Sequence, residues 1–324
     1  MSNLRPKHNS EGGVHSPEQE SYLREVLSGL KKPQKSLPCK LFYDEEGSAL
    51  FDQICDLEEY YLTRTEIGII ENNLDEISSL IGQDCLLIEF GSGSSLKIRL
   101  LLDRLKNISA YVPIDISLNH LIKSTEALSI DYESLKIRPV CADYSQPFEL
   151  PPLDVTWSKK VVFYPGSTIG NFTPEQALKF LGRIAGLVGK DGSLLIGVDL
   201  KKDTETLEAA YNDKDGLTSE FNLNILRRLN RELGANFQIS LWKHQAFYNK
   251  EHGRVEMHLV SLKDQSVKMN NNKIFFKTDE DILTEYSYKY GIEEFEEMVS
   301  PIFDVQHVWT DKEKKFSVQY LTVK

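Results

Sequence analysis

An α/β fold is predicted for this chain: a doubly wound parallel sheet covered by helices on both faces, followed by a region rich in β-strands. Three observations predict it. From residue 84 to residue 199, short apolar runs alternate with stretches of helical period, as repeated βαβ units require. Val161-Val162-Phe163-Tyr164 is apolar at every position, as expected of a central strand buried on both faces. Finally, Glu89-Phe90-Gly91-Ser92-Gly93 puts a glycine loop between a strand and a helix, at the carboxyl edge where open parallel sheets bind ligands.

Taken in order, residues 1–15 are polar and glycine-containing and are expected to form a disordered tail. Ser16-Pro17-Glu18-Gln19 reads as a capping box opening a helix whose stripe is Leu23, Val26, Leu27 and Leu30. Thr63-Arg64-Thr65-Glu66 reads as a second capping box, ahead of Ile67, Ile70 and Leu74. The strand Cys85–Phe90 enters the glycine loop, and the helix beyond it carries Leu96, Leu100, Leu101 and Leu105. One strand ends at Asp115 before a helix opened by Ser117, and another ends at Val140 to Asp143. Thr173-Pro174-Glu175-Gln176 caps the next helix, and Leu194–Val198 forms the next strand. After Asp199, helices are expected over about 204–212 and 219–233. Alternation at Phe237, Ile239 and Leu241, and again at Val255, Met257 and Leu259, predicts strands either side of an Asn249–Gly253 turn. Asn270-Asn271-Asn272 marks a further hairpin, and residues 303–323 read as two strands joined near Asp311.

Composition narrows the function. The 324 residues carry a net charge of −11 and no long basic run, so neither nucleic acid nor an anionic membrane surface is an expected partner. Cys39, Cys55, Cys85 and Cys141 form no CxxC pair, and the histidines form no HxxxH, so no metal site is expected. Cys85 and Cys141 lie in strand-like segments and are expected to be small buried hydrophobes. Nothing resembles a signal peptide, and no apolar run approaches the roughly 20 residues of a membrane span. A reduced, cytoplasmic protein is expected.

The glycine loop has the wrong spacing for two common phosphate sites. A dinucleotide fingerprint would place its third glycine at position 96, which is Leu96, and no Gly-Lys-Ser/Thr follows to make a P-loop. Two further carboxylates stand at successive strand ends. Asp115 is placed to accept both ribose hydroxyl protons, and Asp143 to accept from an adenine amino group. An acidic ribose clamp without a basic phosphate partner suits adenosine joined to an amino acid better than a dinucleotide. A single GxG is more often a structural turn, and a single strand-end Asp a helix cap; the combination is what singles out a cofactor site.

Several longer strings carry a closer match. They are Leu41-Phe42-Tyr43-Asp44, the run Glu59-Tyr60-Tyr61-Leu62-Thr63-Arg64-Thr65-Glu66, Gly166-Ser167-Thr168-Ile169-Gly170-Asn171 and Asp199-Leu200-Lys201-Lys202-Asp203. Phe221-Asn222 with Asn224, Arg254-Val255-Glu256-Met257 and Leu283-Thr284-Glu285-Tyr286-Ser287 complete the set. On these residues the chain, from about residue 30 to its end, resembles the histidine-specific Nα-methyltransferases of ergothioneine biosynthesis, which make the betaine hercynine. The resemblance implies a class I Rossmann-like S-adenosylmethionine methyltransferase domain with an α+β substrate-binding lobe. It implies that Gly91, Gly93, Lys97, Asp115, Asp143 and Tyr144 hold S-adenosylmethionine, Tyr144 standing where the family commonly has Phe. Asn171 and Tyr211 would bind the amino-acid end of L-histidine, and Tyr60, Glu285 and Ser287 the imidazole. Met257, Gly166 and Phe51 would complete the substrate pocket, and Tyr43, beside Phe51, would orient the reacting amine. Two positions depart from the family pattern: Leu62, where Pro is common and loop stiffness would change, and Tyr286, expected to alter pocket shape.

The expected organisation is a methyltransferase domain of residues 66–199 and 290–324 and a substrate lobe of 16–65 and 200–289, in a monomer. Methyl transfer needs nitrogen, methyl and sulfur in line, so positioning is the protein's main task. Three rivals stand beside this reading. They are an N-methyltransferase for another amino acid or an indole amine, a nicotinamide-dependent oxidoreductase and a non-catalytic cofactor-binding protein. An indole has one ring nitrogen and would leave one of Glu285 and Ser287 without a partner.

Overall fold

The structure, a computed structural model, describes residues 17–324 apart from Ser94 and Pro147. The expected tail and the Ser16–Gln19 capping box lie outside the described residues and side chains. The amino-terminal part holds helix α1 (Pro17–Leu30), the short strand β1 (Lys35–Ser36), a 3-10 turn at Cys39–Phe42, and helices α2 (Glu45–Cys55), α3 (Tyr61–Asn72) and α4 (Leu74–Ile81). The βαβ region runs β2 (Leu86–Phe90), α5 (Leu96–Arg104), β3 (Ala110–Asp115), α6 (Leu118–Asp131), β4 (Val140–Cys141), β5 (Lys160–Tyr164), α7 (Pro174–Val188) and β6 (Ser193–Asp199). Then come α8 (Thr204–Ala209), α9 (Leu217–Leu233), β7 (Trp242–Asn249), β8 (Arg254–Ser261), β9 (Gln265–Met269), β10 (Asn272–Phe276) and β11 (Asp281–Tyr288). Helix α10 (Ile292–Val299) and strands β12 (Phe303–Thr310) and β13 (Phe316–Val323) close the chain.

Seven strands form the main sheet in the order β12-β13-β6-β5-β2-β3-β4. Strands β2 to β6 are mutually parallel, and β13 inserts antiparallel between β6 and β12. The chain starts at β2, moves out to β3 and β4, then returns to the opposite side with β5. That reversal opens a crevice above the carboxyl ends of β2 and β5, where doubly wound folds take their ligands. All positions of β2 and β6 are buried, so both are largely apolar, and the one charged side chain inside β2, Glu89, accepts from the Tyr111 hydroxyl. Alternate residues feed two cores: Leu86, Ile88 and Phe90 pack with Phe180 and Ile184 of α7, and Leu87 packs with Ile69, Ile70 and Ile77 on the other face. Such alternation is the pleat of a strand expressed as burial.

A second sheet has the order β1-β11-β8-β7, with β1 running parallel to β11, and β9 and β10 form a separate hairpin. The amino-terminal residues thus join the region that follows β6. Motif residues make this join. Asp44 caps α2 by accepting from Gly47 N at 2.7 Å and also accepts from Asn224 of α9 at 2.8 Å. Asn222, on the same helix, accepts from the Thr284 hydroxyl of β11 at 2.8 Å.

The structure corrects four local expectations. Phe237–Leu241 is no strand: Ile239–Leu241 is a 3-10 turn, and the ladder begins at Trp242. The Asn230 side chain takes both backbone groups of Phe237 at 2.8 Å, so nothing is left for a neighbouring strand. Thr63–Glu66 is not a capping box, because α3 already begins at Tyr61 and Glu66 is spent elsewhere. Leu62 sits within α3, buried in the core, and not in a loop whose stiffness it sets. Cys85 is buried as expected, but Cys141 is exposed because β4 is a two-residue edge strand. The Thr173–Gln176 capping box forms in full at the start of α7.

Candidate active site

At the head of β2 the chain turns through Gly91 (φ 71°) and Gly93 (φ 44°), a left-handed conformation that side chains resist. Asp115, at the end of β3, ties this loop to the next helix: Oδ2 accepts from Gly93 N at 3.3 Å and Oδ1 from Ser117 N at 2.9 Å. Tyr144 stacks on Phe90 with ring centres 5.4 Å apart and planes 6° from parallel. Its hydroxyl lies 3.5 Å from where a Gly91 Cβ would stand, an ordinary contact, so the left-handed φ and not crowding calls for glycine here. The Ser92 and Ser95 hydroxyls are buried here without a hydrogen-bond partner among the described residues. Orphaned hydroxyls beside a left-handed glycine loop and a strand-end carboxylate fit a polar ligand laid across this edge.

Asp143 and Lys97 lie on the same edge, and both already have partners. Asp143 accepts from Lys40 Nζ and from Ser145 N, each at 3.0 Å. Burial alone would raise this carboxyl, but Ser145 and Lys40 outweigh it and hold the group below the usual carboxylate range. Lys97 reaches Glu66 at 2.6 Å, and Glu66 is also the acceptor for Gly166 N at 2.9 Å. The fully buried Glu66 thereby links α3, the first turn of α5 and the loop after β5. Gly197 of β6 makes room for it, since a Cβ there would lie 2.0 Å from Glu66 Oε1.

Across the crevice, side chains from five separate stretches meet. Tyr43 and Phe51 contact edge-to-face at 5.7 Å, Phe51 contacts Tyr60 at 6.1 Å, and Tyr60 contacts Tyr211 at 6.4 Å. Phe221 of α9 backs this chain, 5.7 Å from Tyr43 and 5.9 Å from Phe51. The Tyr211 hydroxyl donates to Ser287 Oγ at 2.8 Å. Glu285, two residues earlier on β11, shares that face of the strand and pairs in register with Met257 of β8. Glu285 makes no hydrogen bond or ion pair among the described residues. Burial pushes its carboxyl up to about 7, against a smaller downward pull from Lys289. Its charge in turn acts on Tyr43, Tyr60 and Tyr211.

Asn171 arrives on a 3-10 turn, Thr168–Asn171, packed against β11. Gly170 allows this approach, because a Cβ there would meet Tyr288 O at 2.7 Å and Ser287 C at 3.5 Å. In the same string, Ser167 Oγ accepts from Asp199 N at 2.9 Å. The GSTIGN string is therefore a hinge of contacts between the two sheets. Tyr286 points the other way from Glu285 and Ser287, with the Arg254 guanidinium 3.6 Å above its ring. It does not shape the pocket.

Sequence reasoning missed a fully buried ion pair beside the site. Lys289 and Asp199 are both fully buried and paired at 2.6 Å, and Asp199 also accepts from Tyr61 at 2.8 Å and Lys202 at 2.6 Å. Lys289 Nζ further donates to Tyr211 Oη and Ser287 Oγ, each at 3.0 Å. The signal was present: Lys289 continues the alternation of Glu285 and Ser287, and a lysine on a buried face demands a partner. A glycine inside the apolar run of β6 likewise signals a close approach.

A family model described as histidine-specific methyltransferase, SAM-dependent, matches residues 22–323. The chain is 37% identical over 306 residues to a histidine N-alpha-methyltransferase of Mycolicibacterium smegmatis, covering 92% of this chain and 94% of that protein. With the protein of the same description from Mycobacterium tuberculosis, identity is 40% over 273 residues, covering 82% and 84%. Ergothioneine biosynthesis protein 1 of Neurospora crassa is 32% identical over 289 residues, which span 86% of this chain and 32% of that longer protein. The match runs along nearly the whole chain: the protein belongs to the SAM-dependent, histidine-specific methyltransferases.

Proposed function

We propose that this enzyme trimethylates the α-amine of L-histidine to hercynine, in ergothioneine biosynthesis. The observation that carries the substrate assignment is Glu285. It is a carboxylate without a partner among the described residues, set in an aromatic pocket two residues from a hydroxyl, Ser287. A neutral imidazole offers one N–H and one bare nitrogen, which such an acceptor and hydroxyl satisfy together. A purely apolar side chain would leave both protein groups unpaired. Tyr60 and Met257 cover the ring, and Asn171 and Tyr211 take the amino-acid end. Gly91, Gly93, Asp115, Asp143, Tyr144 and Lys97 hold the cofactor, with residues 16–65 and 200–289 closing over the substrate as a lobe.

When bound, S-adenosylmethionine supplies a sulfonium methyl whose carbon–sulfur bond breaks as the carbon–nitrogen bond forms. The chain's own residues hold the amine in line and exclude water. The amine must be neutral to attack, so one proton leaves before each of the three transfers, counting that of the ammonium form. Tyr43 keeps its hydroxyl proton, because burial and the Glu285 charge raise it well above its ordinary range. Its oxygen accepts an amine N–H, which turns the nitrogen lone pair toward the methyl. The dimethylated amine, once neutral, carries no N–H, so this interaction serves the first two transfers and not the third.

The test is an endpoint assay by mass spectrometry with purified protein and S-adenosylmethionine, offering L-histidine, L-tryptophan and L-tyrosine in parallel. A gain of three methyl groups on histidine alone is expected. Methylation of tryptophan instead would move the substrate assignment, and silence on all three would sink the catalytic reading.

A further inference from the structure

The wholly buried Lys289 has no place in the reaction described so far. Ion pairs of this kind seldom add stability over an apolar replacement, so its presence asks for another reason. Its surroundings supply one through a count of hydrogens. An ammonium only donates, and Lys289 directs its three donors to Asp199 Oδ2 at 2.6 Å, Tyr211 Oη at 3.0 Å and Ser287 Oγ at 3.0 Å. Tyr211 in turn donates to Ser287 Oγ at 2.8 Å. That direction is the natural one, since the phenol is the more acidic hydroxyl and the alkyl oxygen the better acceptor. Both lone pairs of Ser287 are then occupied. The only hydrogen-bonding capacity left to Ser287 is its own O–H.

We propose that Lys289 is a positioning residue which commits Ser287 to donate, so that the pocket reads a bare ring nitrogen beside the N–H taken by Glu285. A free serine hydroxyl would serve a donor or an acceptor equally well. With Lys289 and Tyr211 donating into it, it serves an acceptor only. The substrate is thereby selected as the neutral imidazole, and a ring that offers N–H but no bare nitrogen leaves the Ser287 hydrogen unpaired. Asp199 completes the device by fixing Lys289 from the end of β6, and it stays paired with Lys202 and Tyr61 if the lysine is removed. This inference rests on the assignment of Glu285 and Ser287 to the imidazole.

Dissociation constants measured by calorimetry on the full chain, with S-adenosylhomocysteine present, test it. The ligands are L-histidine and the two pyrrolylalanine isomers, which carry a ring N–H and no bare nitrogen. The wild type is expected to prefer histidine over the better-bound isomer by on the order of tenfold to a hundredfold. Lys289→Met frees a Ser287 lone pair and should shrink that preference by at least about fivefold, with S-adenosylhomocysteine affinity held within about twofold. Equal loss of affinity for histidine and analogue, with the preference intact, would overturn the proposal and leave Lys289 a purely structural role. If Lys289→Met does not fold by circular dichroism, Tyr211→Phe frees the other lone pair. The same narrowing is then expected, and an unchanged preference overturns the proposal. Ser287→Ala separates this proposal from the reading beneath it: if the wild-type preference survives that change, Ser287 does not read the ring and the imidazole assignment itself fails.

Discussion

The two sides of the crevice are built in different ways. The side proposed for the cofactor is built around a backbone turn. Two left-handed glycines and an aspartate at the end of the neighbouring strand all fall within residues 91–115. The side proposed for the substrate is made by side chains: Tyr43, Phe51, Tyr60, Tyr211, Glu285 and Ser287 converge from across the chain. A backbone cradle depends on local conformation and tolerates change around it. A convergent pocket depends on packing between distant segments, and one lost partner alters the whole specificity. The lesson is that cofactor and substrate affinity should be separable by single substitutions.

The largest expected effect falls on the substrate side. Glu285→Ala should weaken histidine binding on the order of a hundredfold, since it leaves an imidazole N–H buried without an acceptor. S-adenosylhomocysteine affinity should stay within about threefold in the same titration. Equal loss of both would erase the distinction between the two sides. Asp115→Ala is the mirror experiment. It removes the carboxylate that anchors Gly93 N, and S-adenosylhomocysteine should bind about tenfold to fiftyfold more weakly. Histidine affinity, read at saturating S-adenosylhomocysteine, should be nearly unchanged.

A pH titration sharpens the comparison at smaller scale. Burial raises the Glu285 carboxyl to about 7, so the group is neutral below that value and charged above it. The charged form accepts an imidazole N–H more strongly than the neutral acid does, so histidine affinity should climb by up to about tenfold from pH 6 to pH 8. The ring's own proton loss works in the same direction. In the Glu285→Gln variant only the ring's contribution should persist, which isolates the carboxylate. Folding stability follows the opposite sign. A raised carboxyl binds its proton more tightly when folded, so its contribution is full below the ordinary value of 4.5 and is lost as pH rises through about 7. The smallest effect is expected at Tyr43. Tyr43→Phe should lower kcat for the first two transfers by about tenfold and leave KM for histidine near its wild-type value. Unchanged rates in all three transfers would remove Tyr43 from the chemistry.

The sequence alone determined what depends on near neighbours. Periodicity set the parallel sheet, because a strand buried on both faces is mostly apolar, as residues 161–164 of β5 are. Strand ends and glycines pointed to the edge proposed for the cofactor, because a left-handed turn admits few residue types. The Thr173–Gln176 box set a helix start, because its hydrogen bonds join residues three apart. The Thr63–Glu66 string had the same spacing and misled, since Glu66 finds its partners at Lys97 and Gly166, far along the chain. Tertiary structure decided the rest. That Gly170 exists to let β11 approach, that Tyr286 turns away under Arg254, and that Lys289 sits between Asp199 and Ser287 are facts about contact across the sheets. Sequence spacing carries no distance between segments that meet only on folding, and the partners of a buried charge are chosen there.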